Sequence, residues 1–413
     1  MRIEFVFGPL HAGNLRNMVN LTVRDPLGFR GTGHRQGNRH IVELGPAHAT
    51  PGYLAGPLQA GRWEVILHTH LLLSDVRGEL RVDIDDHERP PFESGAPNLP
   101  AVRPPEPGSW MMGDLHCHTN HSDARWTPAE LALAATERGL QFLAVTDHNT
   151  TSAREPLRAL APGLLQLPGI ELTTYYGHAV ILGLPDLHDW TRLTIHRGMR
   201  ELASHVAHER GIAVIAHPLR AGDPICTGCT WTYFDWRPAD TTHLEVWNGP
   251  WDGAHNTSAL ELWYSLLASG HRVIATAGTD AHGPAYHPQH GFTCTPATND
   301  AATLLEQLRR GETYLSRQSN LTFAVHTPAG PAGLGSCAPA GRWTATVSWR
   351  DLLPGSTLHA VSDGRREVIP VEHTGSHTLH PTVHRWLNFE VRLSDGSLHA
   401  LSNPVFAQQA PLA

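Results

Sequence analysis

One change of pattern constrains this chain more than any other feature. Between residues 110 and 318, apolar strand-like runs alternate with helical patterns. The runs are GDLHCH, QFLAVTD, LLQLPGIELT, HAVILGL, GIAVIAHP, HLEVWNG and HRVIATAGTD. The helical patterns are TPAELALAATERG and residues 195–210, 256–269 and 301–310. In TPAELALAATERG, Thr127 is placed to cap, Pro128 to occupy the first turn and Gly139 to end the helix. Strands alternating with helices of this length predict βαβ units and a parallel sheet closed into a barrel, an α/β fold.

The flanks read differently. Residues 1–90 carry short alternating runs such as GRWEVILHTHLLL and GELRVDID, broken by glycine and proline, which predicts an N-terminal β-rich accessory domain. Proline density between Glu88 and Gly108 opposes helix and sheet alike, so 91–109 reads as a linker. Residues 319–413 return to short strands, WTATVSW, REVIPVE and WLNFEVRL, and predict a C-terminal β-sandwich-like domain.

Composition removes several classes. Net charge is −8 with no basic block, which leaves no electrostatic footprint for nucleic acid. The basic residues are all arginine, so Schiff-base chemistry and a P-loop lysine are excluded. The N-terminus has no continuous apolar segment of signal-peptide type, and no run of 18 apolar residues predicts a membrane span. Five cysteines, an odd number in a long chain, argue against a disulfide framework and for a reducing, cytoplasmic setting.

The chain holds 30 histidines, and their placement matters more than their number. His116 and His118 end the first run of the barrel region, Asp147 and His148 the second, Glu171 the third and His217 the fifth. Asp280 and His282 follow the seventh, and His178 opens the fourth. Loops after the strands of an α/β barrel build its active site, so these positions converge on one rim. Imidazole with carboxylate suits zinc, manganese or iron. His-x-His on an extended segment puts both rings on one side, and Cys117 between them points into the packing.

The succession DLHCHTNHSD, AVTDHN, GIELTTYYGHAVILGL, VIAHP and TAGTDAHG closely resembles the polymerase and histidinol phosphatase (PHP) superfamily of metallohydrolases. PGYLAGPLQAGRWEV and LHALSNPVF look like the branch that includes carbaryl hydrolase. The resemblance, over about residues 111–318, implies a distorted seven-stranded (β/α) barrel with two or three divalent ions (Zn, Mn or Fe) at its rim. It implies His116, His118, Glu171 and Asp280 around a first metal. Glu171 would bridge to a second held by His178 and His217, with Asp123, His148 and His282 around a third. Asp114 and Asp147 lie outside that ligand set; as strand-end aspartates they are placed either to orient imidazoles from behind or to stand exposed.

The function expected on this basis is hydrolysis by a metal-bound hydroxide with Glu171, Asp280 and His282 around it. A small-molecule phosphoester is the leading substrate, and a carboxylic ester, carbamate or amide the alternative. A non-catalytic metal-bearing scaffold is the reading from another class. Arg125, Arg154, Arg197 and Arg220 are candidates to clamp a phosphate, with Arg220 and His121 singled out for substrate binding. Neither nucleic acid nor membrane is expected as a partner, and the oligomeric state stays open. Lesser features read as structural. His68 and His70 are expected on the accessory surface. The aromatic run Trp231, Tyr233, Phe234 and Trp236 packs on the barrel, and the lone CTGC of Cys226 and Cys229 is a weak metal motif.

Overall fold

A computed structural model describes residues 1–85, 99–106, 108–184, 190–251, 253–318 and 320–408. Part of the expected linker, 91–98 and 107, lies outside them. The N-terminal strands are β1 (Arg2–Gly8), β2 (Met18–Asp25), β3 (Gly28–Gly33), β4 (Arg39–Glu43), β5 (Glu64–Leu71) and β6 (Arg77–Asp83). They form two three-stranded antiparallel sheets, β4–β1–β6 and β3–β2–β5. Ile3, Phe5 and Phe7 alternate inward from β1 and meet Val19, Leu21 and Val23 of β2 in one buried cluster.

The central region runs β7 (Trp110–Cys117), α1 (Pro128–Glu137), β8 (Phe142–Val145), α2 (Arg154–Leu160), β9 (Gly169–Thr173), β10 (His178–Leu182), α3 (Met199–His208), β11 (Ile212–Ile215), β12 (His243–Asn248), α4 (Ala254–Ala268), β13 (Ile274–Gly278), β14 (Phe292–Pro296), α5 (Ala301–Arg310) and β15 (Tyr314–Ser316). Every expected strand run contains a strand. Thr127 caps α1 in a reciprocal box with Glu130, with Pro128 in the first turn.

The expected single parallel barrel requires correction. The strands fall into two sheets, one of them β9–β10–β11–β12–β13 and the other containing β8, β7, β14 and β15. Isolated bridges, His148 to Glu171 and Cys117 to Ala281, join the sheets on either side of a common centre. The pairing is also mixed. Only residues 174–177 separate β9 from β10, too few for a crossover, so the two form an antiparallel hairpin with Thr173 opposite His178. This explains why His178 opens its strand. A reversed strand begins at the edge where its neighbour ends, so His178 lies on the same rim as the other ligand-type residues.

After residue 319 come β16 (Leu321–Thr327), β17 (Thr344–Trp349), β18 (Thr357–Ser362), β19 (Arg365–Pro370), β20 (Gly375–Leu379), β21 (Trp386–Arg392), β22 (Leu398–Ser402) and β23 (Val405–Gln408). They make two layers. One contains β16, β17 and β20. The other, β22–β21–β18–β19, pairs through β22 with β15 and continues the central sheet. The 318/319 boundary is therefore no break in hydrogen bonding. One buried cluster runs from Leu131 and Ala135 of α1 through Tyr314 to Val347, Phe389 and Val391. Among the described residues no helix is long and apolar enough to cross a membrane.

Candidate metal centre

Strand ends position the site. Asp114, His116 and His118 come from the end of β7 and just past it, His148 from beyond β8, Glu171 from β9 and His178 from the start of β10. His217 follows β11, and Asp280 and His282 follow β13. His217 and Asp280 take left-handed backbone conformations, φ +28° and +49°, which non-glycine residues adopt when the surroundings impose them. Gly278 ends β13 because nothing larger fits. A Cβ there would stand 2.1 Å from the His116 Cβ and 2.6 Å from Glu245 Oε1.

All nine ligand-type residues converge. Glu171, fully buried, lies at the centre. Its Oε1 is 3.0 Å from His178 Nδ1 and 3.0 Å from His217 Nε2. Its Oε2 is 3.3 Å from His116 Nε2, 3.3 Å from His118 Nε2 and 2.9 Å from His148 Nδ1. Asp280 Oδ1 is 3.0 Å from His118 Nε2, and Asp123 Oδ1 is 3.1 Å from His282 Nε2 and 3.5 Å from His148 Nε2. The donor atoms of His116, His118, Glu171 and Asp280 form one compact group. Those of His118, Asp123, His148 and His282 form another, and His178 and His217 lie together beside Glu171 Oε1.

The far nitrogens decide what these groups can hold. His116 Nδ1 donates to Glu245 Oε1 (2.9 Å), His178 Nε2 to the Thr227 carbonyl (3.0 Å), His217 Nδ1 to the Cys229 carbonyl (3.2 Å) and His282 Nδ1 to the Asp280 carbonyl (2.7 Å). With the proton committed there, a neutral imidazole turns a lone pair toward the carboxylates. Lone pairs facing carboxylate oxygens at about 3 Å repel unless a cation stands between them. Consistently, His116 Nε2, His118 Nε2, Asp123 Oδ1 and Glu171 Oε2 are buried with no hydrogen-bond partner among the described residues. The donor set fits divalent cations held by nitrogen and oxygen.

The electrostatics point the same way. Burial pushes Glu171 and Asp280 up, but the surrounding imidazoles, with Arg220 beside Asp280, hold both well below the usual carboxylate range. Burial lowers His282, yet its hydrogen bond to Asp123 and the nearby carboxylates lift it to about 9. His118 is pushed down to about 3 by burial and by His148 and His282. Positive charge is thus favoured beside the carboxylates of Asp123, Glu171 and Asp280 and disfavoured on the His118 ring itself.

The remaining expected site residues divide. Arg220 lines the cavity and bonds Asp280 and, at 3.2 Å, Asn248 Oδ1. Arg125 also lines it, whereas Arg154 binds the carbonyls of Gly169 and Leu184, and Arg197 is exposed. His121 does not face the cavity; its Nδ1 meets Ser152 Oγ at 2.7 Å. Asp114 and Asp147 hold backbone amides and hydroxyls rather than imidazole. Asp114 accepts from the His116 and Thr279 amides, and Asp147 from Thr119 and Ser122. Burial pushes Asp114 up to about 6. Cys226 and Cys229 form a disulfide, against the expectation of free thiols, because a tight turn brings their Cα atoms to 5.4 Å. Of the aromatic run expected to pack inward, Tyr233 and Trp236 are buried and Trp231 is partly buried, but Phe234 is exposed, because it stands on the outer side of the loop.

Sequence reasoning missed two contributions. Glu245, buried in β12, carries His116, the His217 amide and Asn248 Nδ2 together. Its only signal was a glutamate inside the apolar run HLEVWNG. The second is the N-terminal wall. His68 and His70 are buried rather than on the surface, and His34 and His70 line the same cavity of about 840 Å³ as Asp123, His148, Glu171 and His217. Arg35 ties that wall to the ligand-bearing loop through the carbonyls of Asn120 (2.7 Å) and Ser122.

No family model matches the chain. A segment of 80 residues is 40% identical to the 5′-3′ exoribonuclease Rnm of Salmonella typhimurium and of Escherichia coli, covering 18% of this chain and 27% of theirs, about a quarter of their length. An uncharacterized protein of Methanocaldococcus jannaschii is 28% identical over 166 residues, 36% of this chain and 90% of that one. Among solved structures, a two-domain Bacteroides vulgatus protein containing a predicted PHP-like metal-dependent phosphoesterase overlaps 76% of this chain and 100% of its own, with 14% identity and a TM-score of 0.42.

Proposed function

We propose that this protein is a PHP-type metal-dependent hydrolase that cleaves a phosphoester of a small molecule. The observation that carries the reading is the set of imidazole lone pairs and carboxylate oxygens turned on one another around Glu171, with His116, His178 and His217 fixed from behind. A scaffold has no need of a cavity opening onto such a set. Divalent ions held there supply Lewis-acid polarisation of the scissile group and activation of water.

The chain's own residues divide the remaining work. Glu171, with Oε1 beside His178 and His217 and Oε2 beside His116 and His118, would help to hold divalent ions on both sides of its carboxylate. Glu245 locks the tautomer of His116 and, through the backbone amide, the position of His217. Arg220 is anchored by Asp280 and Asn248 at the edge of the cavity, where its guanidinium meets a phosphate oxygen. The partial match to exoribonucleases, which break phosphodiesters, favours phosphorus over carbon as the electrophile. Carboxylic-ester or carbamate hydrolysis is the second reading, since the same cations polarise a carbonyl.

The test is a substrate panel on metal-reconstituted protein, with p-nitrophenyl phosphate, bis-p-nitrophenyl phosphate, p-nitrophenyl acetate and a 5′-phosphorylated oligoribonucleotide. Metal-dependent turnover of a phosphoester, with inorganic phosphate competing, is expected. Turnover of the acetate alone, insensitive to phosphate, selects the acyl reading. Preference for the oligonucleotide makes RNA the substrate. Elemental analysis finding less than about one ion per chain, with none regained on incubation, removes the hydrolase reading altogether.

A further inference from the structure

The N-terminal sheet does more than cover the rim. His34 follows β3, lines the cavity and packs its ring on His148, with centroids 4.4 Å apart. Its hydrogen bonding is dictated from behind. The Arg35 backbone N–H can only donate, and it donates to Asn20 Oδ1 at 3.1 Å. The Asn20 amide is thereby oriented with Nδ2 toward His34 Nδ1, 3.0 Å away. An amide –NH₂ can only donate, so Nδ1 of His34 accepts, and the ring proton lies on Nε2. A doubly protonated ring would set N–H against N–H. No protein group among the described residues takes the Nε2 proton. His70 packs edge-on against the His34 ring at 4.9 Å and fixes its plane.

Asp123, Glu171 and Asp280, which share the cavity, are acceptors, as are the imidazole lone pairs turned toward them. A neutral, orientation-locked donor among them has one natural complement, a substrate oxygen that bears negative charge. We propose that His34 is a substrate-binding residue whose Nε2–H donates a hydrogen bond to an anionic oxygen of the substrate held at the metal centre. This deepens the hydrolase reading and rests on it. It gives the N-terminal sheet a direct part in the site: Arg35 both orients Asn20 and ties the wall to the Asp123 loop.

The experiment compares full-length, metal-loaded wild type with His34→Ala and His34→Gln. Four quantities are measured: metal content, melting temperature, affinity for inorganic phosphate by calorimetry, and kcat/KM for bis-p-nitrophenyl phosphate and p-nitrophenyl acetate. Metal content and melting temperature are expected to stay at wild-type values. His34→Ala is expected to lose about 10- to 100-fold in phosphate affinity and in kcat/KM for at least one substrate, the range for a hydrogen bond to a charged group. His34→Gln, whose amide –NH₂ reaches the same place, recovers most of it. His34→Ala within about twofold of wild type overturns the proposal, as does loss of metal in that variant or a His34→Gln no better than alanine. Wild type that holds metal but neither binds phosphate nor turns over either ester removes the hydrolase reading, and this proposal with it.

Discussion

At the residue scale, charge balance around Glu171 governs the centre. Among the described residues it is the one carboxylate in contact with all of His116, His118, His148, His178 and His217. Glu171→Gln keeps the shape and removes the charge, leaving cations to repel across a few ångströms. Loss of at least one ion and a fall in turnover of about 10²-fold or more are expected, the upper end of what changes around a metal site cost. Metal content and turnover measured beside His217→Ala decide the matter. A Glu171→Gln variant with full metal and near-normal rate would show that Glu171 bridges nothing. Glu245→Gln should cost about 10-fold or more in metal affinity or rate, because Gln can still accept from His116 Nδ1 but sets its –NH₂ against the His217 amide and Asn248 Nδ2 and no longer offsets charge. A metal titration that matches wild type would reduce Glu245 to packing.

At the element scale, the ends of strands and helices carry different burdens. β13 must end in glycine so that β7 and β12 can close on it. Gly278→Ala pushes on His116 and Glu245 at once. Destabilisation of about 1–3 kcal/mol, typical of overpacking, is expected together with weaker binding of any ion that His116 would help to hold. Denaturant melts and elemental analysis should move together; a stable, fully metallated variant would contradict the close approach. The start of α1 is a contrast. Thr127→Ala removes the cap and should cost about 1 kcal/mol while leaving turnover unchanged, since the cap lies on the exposed side of that helix. A change in kcat/KM without one in stability would mean that α1 communicates with the site.

At the scale of the whole molecule, buried neutral histidines tie stability to pH. Burial pushes His40, His243 and His399 down to about 4. Between pH 6.5 and 4 the unfolded chain binds protons on these rings and the folded chain does not. Their contribution is therefore complete above pH 6.5 and is lost as pH falls toward 4. For His243, which donates to the Leu308 carbonyl and accepts from Thr242, this is on the order of 3 kcal/mol. The melting temperature should drop across that window, and His243→Gln should flatten the slope. An equal slope in wild type and variant would place the acid sensitivity elsewhere.

The sequence by itself determined the alternation of strands and helices from 110 to 318 and the ligand-type residues at strand ends. Both are local: an apolar run of strand length, and a polar residue where it stops. The α1 cap was legible for the same reason, because capping involves residues three apart. Tertiary structure alone decided what those residues face. His178 joins the rim only because a four-residue connection forces β10 to run backwards from β9. Glu245 reads as an interruption of an apolar strand until His116, 129 residues away, is placed against it. His70 alternates along β5 as any half-exposed strand residue would. It is buried because Arg35 and Asn120, 85 residues apart, dock the sheet on the Asp123 loop. Such contacts come from the packing of whole layers, and no spacing within a single segment encodes them.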